Sequence, residues 1–185
     1  MQQTADSIAC ARTAGVPLMV AVNKMDLPTA DADKVLGELA GYNVLTEDVG
    51  GDVLCSRISA KEGTNLDDLM SKIMLQAEVL DLKANPDRDA QGVVIEARLE
   101  KGLGTVATTL IQKGTIRVGD SFVAGEASGK VRALIGYDGK TRYKEVGPST
   151  PVNVVGINGI PEAGDLFVVA EDEQTARELA KARAK

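Results

Sequence analysis

Apolar positions run along this chain in two rhythms, and the change between them falls near residue 85. Thr4 to Ala14 has the spacing of a helix that ends at Gly15, with Pro17 just beyond, since glycine tolerates the left-handed position after a helix and proline cannot continue one. Val16 to Val22 follows as an unbroken apolar run. Without alternation both faces of such a strand must be covered, as in a parallel sheet flanked by helices. Asp31 to about Ala40 predicts a second helix with Val35, Leu36 and Leu39 on one side, Val53 to Ile58 a second strand, and Asn65 to about Leu82 a third helix. In that third helix Leu66, Leu69, Met70, Ile73, Ala77 and Leu80 recur at threes and fours, with Asp67 and Asp68 in the first turn, where the helix dipole favours acids. Helices alternating with strands in this order make the trailing half of a doubly wound α/β sheet, which with two strands is incomplete by itself.

Beyond Lys83-Ala84-Asn85-Pro86-Asp87, which reads as a linker, the rhythm becomes one of short strands and glycine turns. Strands are predicted at Val93 to Glu100, Thr105 to Gln112, Thr115 to Val118, Ser121 to Ala124, Lys130 to Gly136, Thr141 to Glu145, Val152 to Ile157 and Leu166 to Ala170. Their even spacing predicts a small closed antiparallel barrel. A terminal helix, Glu173 to Lys185, has no strong apolar stripe and reads as a connection onward. The expected division is therefore residues 1–84 as an α/β part, 85–171 as a β-barrel domain and 172–185 as a connecting helix.

Charge shifts at the same place. Residues 1–90 hold 8 Lys and Arg against 15 Asp and Glu, whereas residues 91–165 hold 9 against 8. Apolar content of 44% and charged content of 26% are those of a globular protein, and an aromatic content of 3% without tryptophan argues against a platform for stacking unpaired bases. The absence of histidine excludes hydrolases and metal sites built on that residue. Cys10 and Cys55 are expected to be small buried apolar residues in a reducing compartment rather than a disulfide. No apolar run approaches the length of a membrane span, so a soluble, untargeted chain is expected.

Candidate chemistry lies in two loops that close the two α/β strands. Asn23-Lys24-Met25-Asp26 ends the first. The Asp26 carboxylate can accept at once from N1–H and the exocyclic amine of guanine, a charge-assisted pair that adenine, whose N1 has no proton, cannot reproduce. Asn23 offers an amide toward N7 and the neighbouring loops, and the Lys24 stem can lie flat on the ring. Ser59-Ala60-Lys61 ends the second strand on the carboxyl edge where doubly wound sheets bind ligands. There the Ala60 amide can donate to O6, Ser59 can brace Asp26 and the Lys61 stem can cover the other ring face. The plainer alternative makes Asn23 a cap, Asp26 a turn former and residues 59–63 an ordinary strand-to-helix turn.

The rest of a nucleotide site is a different matter. A phosphate-binding loop needs Gly-x-x-x-x-Gly-Lys-Ser/Thr, because consecutive backbone amides wrap the phosphates while the hydroxyl holds Mg²⁺. The nearest stretches, Gly125 to Lys130 and Gly139-Lys140-Thr141, do not fit: the first has its glycines too close and Val131 at the hydroxyl position, and the second has Leu134 at the leading glycine position. A bidentate base contact contributes about 1–3 kcal/mol of discrimination, whereas even millimolar binding requires about 4 kcal/mol. Binding of GTP no tighter than about millimolar, with no hydrolysis, is the expectation for these 185 residues.

In the barrel, a three-residue Tyr137-Asp138-Gly139 loop would pair Arg142 with Leu134 and put Lys130, Arg132, Lys140, Arg142 and Lys144 on one exposed face, leaving Val131, Ala133, Ile135 and Tyr143 for the core. A two-residue Asp138-Gly139 turn would instead set Arg142 opposite Ile135 and mix charged with apolar residues. The five cations could meet RNA phosphates, or form a plainly solvated strand face.

Taken together, QTADSIACARTAGVPLMVAVNKMDLP, ISAKEGTNLDDL, VIEARLEKGLGTVATTLIQKGTIRVGD and VGPSTPVNVVGINGIPEAGDLFVV closely resemble bacterial-type translation initiation factor two, of bacterial or organellar origin, over essentially the whole chain. The resemblance implies the C-terminal part of a P-loop-GTPase-like domain followed by the family's second domain. It also implies guanine-binding roles for Asn23, Lys24, Asp26, Ser59, Ala60 and Lys61, GTP or GDP as the ligand, and Mg²⁺ only with the phosphate site of the full-length parent. Further implications are contact of the barrel with the RNA of the small ribosomal subunit, initiator tRNA placement and subunit joining through other domains, a monomer, and a cytoplasmic, plastid or mitochondrial location. Without the P-loop and switch regions the chain is expected to be catalytically inactive, and Met1 opening onto a helix in mid-domain reads as a fragment of the parent.

Overall fold

A computed structural model describes residues 2–184, which divide between Leu82 and Lys83 into two compact units. Lys185, the predicted last residue of the terminal helix, lies outside the described residues.

The first unit contains α1 (Gln2–Thr13), β1 (Met19–Val22), α2 (Ala32–Gly41), β2 (Leu54–Arg57) and α3 (Leu66–Leu80). β1 and β2 pair in parallel, with Val20 beside Cys55 and Val22 beside Arg57. Ile8 of α1, Val22, Ala32, Leu36 and Leu39 of α2, Val44 and Cys55 form the core. α2 begins where Asp31 accepts the Lys34 amide at 2.9 Å, satisfying one of the orphan donors of its first turn. Cys55 is buried as its sequence context suggests, and burial pushes its thiol pKa up; Cys10, expected to be buried too, is exposed on α1, whose one buried residue is Ile8.

The outer edge of β2 is closed by side chains. The Cys55 amide donates to Glu47 Oε1 at 3.4 Å, and Lys72 of α3 donates to the Cys55 carbonyl and to Glu47. The hydrogen bond from Lys72 holds the Glu47 carboxyl below the usual carboxylate range, and the same bond raises the Lys72 ammonium. Ser56 Oγ donates to Asp68 Oδ2 at 2.7 Å, and Asn65 Nδ2 donates to the Arg57 carbonyl at 2.9 Å. These contacts seat α3 against β2. Leu66, Leu69, Lys72 and Gln76 are half-buried, whereas Met70, Ile73 and Leu80 of the expected apolar stripe are exposed.

In the second unit, β3 (Gln91–Glu100), β4 (Gly104–Lys113), β6 (Ser121–Ala124), β7 (Ala127–Gly136), β10 (Thr150–Asn158) and β11 (Leu166–Ala170) pair in the order β10-β4-β3-β11-β6-β7. Antiparallel pairing of β10 with β7 closes the ring, which removes free edges. Phe122 and Phe167 stack in its centre with centroids 4.7 Å apart, surrounded by Val94, Ile111, Leu134, Val152 and Val154. At the closure β10 bulges around Gly156, whose φ of 117° and whose missing Cβ, which would lie 2.0 Å from the Lys130 carbonyl, both require glycine.

Three expectations change here. The predicted strand Thr115 to Val118 shortens to β5 (Ile116–Arg117), and Thr141 to Glu145 splits into β8 (Arg142–Tyr143), paired with β7, and β9 (Glu145–Val146), paired with β5. The β7–β8 register sets Arg142 opposite Ile135 and Tyr143 opposite Leu134, not Arg142 opposite Leu134. Asp138 is the physical reason: its carboxylate accepts the amides of Lys140 and Thr141 at 3.0 Å each and the Thr141 hydroxyl at 2.6 Å, bonds that lower its own pKa and fix a four-residue loop between Gly136 and Thr141. The terminal helix packs on the barrel: α4 (Glu173–Arg183) is capped by Asp172, buries Ala176 and Ala180, lies against β6, β7 and β11, and is tied down by Arg183, which donates to the Gly125 and Leu166 carbonyls at 3.3 Å.

Candidate functional site

The parallel pairing of β1 and β2 brings their carboxyl ends side by side, so the loops that follow them meet. Ile58 donates its amide to the Val22 carbonyl at 2.9 Å, and Met25 donates to the Ile58 carbonyl at 3.1 Å, which carries the ladder past the strands into the loops. Lys24 then turns through φ 66°, and its amide donates to Asn23 Oδ1 at 2.7 Å. A non-glycine residue in the left-handed region is uncommon, and here it is held by the Asn23 side chain.

Two side chains bolt the loops together. Ser59 Oγ donates to Asp26 Oδ1 at 2.7 Å and accepts the Glu62 amide at 3.2 Å. The Ala60 amide donates to Asn23 Oδ1 at 3.0 Å. Because Asn23 Oδ1 already accepts two backbone amides, the Asn23 Nδ2 group is left as the outward donor, an orientation that follows from the hydrogen-bond network. Ser59 is buried and Asp26 half-buried, while Asn23, Lys24, Ala60 and Lys61 are exposed. Asn23, Lys24, Asp26, Leu27, Ala60 and Lys61 line one cleft.

All six sequence-derived site residues thus lie together, with one altered role: the Ala60 amide, expected to face a ligand oxygen, is turned to Asn23. Leu27 was missed, although an apolar residue directly after Asp26 in a solvent-facing loop was a readable signal. So was Thr64, whose two backbone hydrogen bonds with Ser59, both 3.1 Å, pinch the second loop shut. The arrangement offers a planar ring two lysine stems, an apolar wall and a half-buried carboxylate whose Oδ2 has the lone pairs for ring N–H donors.

The five barrel cations, Lys130, Arg132, Lys140, Arg142 and Lys144, are all exposed. With Arg142 paired to Ile135 they do not share the single face that the expected register would have given them.

Comparison with known proteins bears on the family of the two units. Residues 1–79 match the family model for the elongation factor Tu GTP binding domain, and residues 89–170 match that for elongation factor G domain 2. Among solved structures, GDP-bound aIF5B from Aeropyrum pernix superposes with a TM-score of 0.80 at 20% identity, over 100% of this chain and 39% of that one. Apo elongation factor SelB from Methanococcus maripaludis gives 0.66 at 23% identity, over 93% and 38%. At these identities the likeness carries the fold alone. The matched families define the class of the two units as the GTP-binding domain and the second, barrel domain of the translation elongation factors. Translation initiation factor IF-2 of Desulfovibrio desulfuricans is 54% identical over 184 residues, and that of Paramagnetospirillum magneticum 55% identical over 185, each alignment covering 100% of this chain. The chain belongs to the bacterial-type translation initiation factor two family. It spans 18% and 21% of the length of those two relatives. No helix among the described residues is long and apolar enough to cross a membrane.

Proposed function

We propose that the cleft between the two loops is the base-reading part of a guanine-nucleotide site, with Asp26 accepting from N1–H and the exocyclic amine, Asn23 Nδ2 directed to N7, and the Lys24 and Lys61 stems covering the two ring faces. The observation that carries this reading is the pair of cross-loop bonds, Ser59 to Asp26 and Ala60 to Asn23, which hold a carboxylate and an amide donor at fixed spacing. Ser59 orients Asp26 and is itself oriented by the Glu62 amide, so the acceptor is set before any ring arrives.

Within the 185 residues no Gly-x-x-x-x-Gly-Lys-Ser/Thr stretch supplies amides for phosphate or a hydroxyl for Mg²⁺. These 185 residues taken alone are expected to bind guanine compounds at about millimolar strength. In the whole protein the role is that of a GTP-dependent initiation factor that places initiator tRNA on the small ribosomal subunit in the cytoplasm or an organelle. The exposed cations Lys130, Arg132, Lys140, Arg142 and Lys144, spread over more than one face of the barrel, would attract ribosomal RNA in a salt-dependent manner.

Titration of the chain with GDP, followed by amide NMR, tests the reading. Shifts should gather at residues 23–27 and 59–62, and ADP should leave these positions still. Equal responses to GDP and ADP, or none to GDP, would sink it.

A further inference from the structure

We infer that Asn65, which stands outside the residues lining the cleft, is a positioning residue for the guanine-reading carboxylate. It fixes the backbone of Ser59 and, through the Ser59 hydroxyl, the edge that Asp26 presents to the base. The inference rests on the guanine reading above and adds a residue that sets its selectivity from behind the loop.

Asn65 occupies the N-cap position of α3, where its residue type is favoured because the side-chain oxygen can accept an amide of the first turn. It makes no such bond. Its backbone is left-handed instead, at φ 56° and ψ 21°, and its carbonyl accepts the Leu69 amide at 3.2 Å, so the helix starts without help from the side chain. The Nδ2 group donates to the Arg57 carbonyl at 2.9 Å. A left-handed backbone is disfavoured for residues with a Cβ, and asparagine enters it more readily than most because its short polar side chain can bond locally. The Asn65 side chain therefore serves β2 and not the helix that it precedes.

Ile58 gives both of its backbone groups to the first strand and loop. Its two neighbours are held by the end of the second loop: the Arg57 carbonyl accepts from Asn65, and Ser59 exchanges two backbone hydrogen bonds, both 3.1 Å, with Thr64. Thr64 and Asn65 thus clamp the end of β2 across the loop, and Asn65 does so by a side chain. With its backbone clamped, Ser59 keeps its hydroxyl in one place, donating to Asp26 Oδ1 at 2.7 Å and accepting the Glu62 amide at 3.2 Å. Loss of the Asn65 amide loosens the clamp. The cost falls on the direction-sensitive contact of Asp26 with two ring donors more than on the lysine stems over the ring faces.

Dissociation constants of GDP and of inosine diphosphate, which lacks the exocyclic amine, test this. They are measured by ligand-observed NMR on the full chain, on Asn65→Gly and Asn65→Asp, and on each substitution combined with Ser59→Ala. Asn65→Gly keeps the left-handed backbone and Asn65→Asp keeps the side-chain shape, and both remove the donor to Arg57. Each is expected to weaken GDP about fivefold and inosine diphosphate only about twofold, so the preference for GDP shrinks. The Glu62 amide, bonded to the Ser59 hydroxyl, should exchange with solvent faster in both. Combined with Ser59→Ala, the same substitutions should change GDP binding by less than about twofold, because the route through the hydroxyl is already cut. Asn65→Gly, which strains no backbone, carries the test where Asn65→Asp does not fold. A GDP preference left intact in Asn65→Gly, whatever its effect on urea stability, or an undiminished loss on top of Ser59→Ala, would overturn the inference and leave the guanine reading standing. Equal binding of the two diphosphates by the native chain would overturn the guanine reading itself.

Discussion

Ser59 Oγ and Asp26 Oδ1 lie 2.7 Å apart, joining two loops separated by 33 positions in the chain. The serine hydroxyl donates to the carboxylate and accepts the Glu62 amide, so both ends of its hydrogen-bonding capacity are used and its rotamer is fixed. Replacing it by alanine keeps the Asp26 charge and removes its orientation. Ser59→Ala should weaken GDP binding by about fivefold, the equivalent of one net hydrogen bond, with an unchanged circular dichroism spectrum. An unaltered affinity would show that Asp26 is positioned by other contacts.

The edge of β2 gives a pH dependence. The hydrogen bond from Lys72 keeps the folded-state pKa of Glu47 below its unfolded value, so the contribution of this group is present above the ordinary glutamate pKa of about 4.3 and is lost as pH falls through the folded value. Lys72 is shifted upward, so its contribution is constant across that range and fades only in strong alkali. Urea midpoints of the α/β unit measured from neutral pH down through the carboxylate range should fall for the native chain, and the fall should be smaller in Glu47→Gln. Parallel curves for the two proteins would remove Glu47 as its source.

In the barrel, Phe122 and Phe167 are fully buried and stacked, and no other aromatic pair anchors the described residues of that core. Phe122→Ala should cost about 3–5 kcal/mol, the range for a truncated core aromatic that leaves a cavity. Denaturant unfolding followed by amide signals of β6 and β11 measures it. A loss below about 1 kcal/mol would mean that the core collapses around the gap.

How far the sequence was readable depended on how local the deciding interaction is. β1, β2 and the meeting of their loops are legible because a parallel pair with apolar strands forces both carboxyl ends to one edge. The β7–β8 register was not, because the Asp138 carboxylate gathers the Thr141 hydroxyl and two amides and so chooses a longer loop than glycine alone suggests. The contacts that seat α3 are likewise invisible to periodicity: Asn65, Asp68 and Lys72 each bond to β2 through side chains. α4 docks through Ala176 and Ala180, residues too small to mark an apolar stripe but well suited to close approach.

In the proposed site the Asp26 carboxylate pairs with two donors on one edge of guanine. Inosine diphosphate presents the same ring without the exocyclic amine, so comparing its dissociation constant with that of GDP, in the native chain and in Asp26→Ala, isolates the second donor. GDP is expected to bind about tenfold tighter than inosine diphosphate to the native chain, and the two should bind equally to Asp26→Ala. Equal affinities in the native chain, or a preference that survives the substitution, would contradict the account.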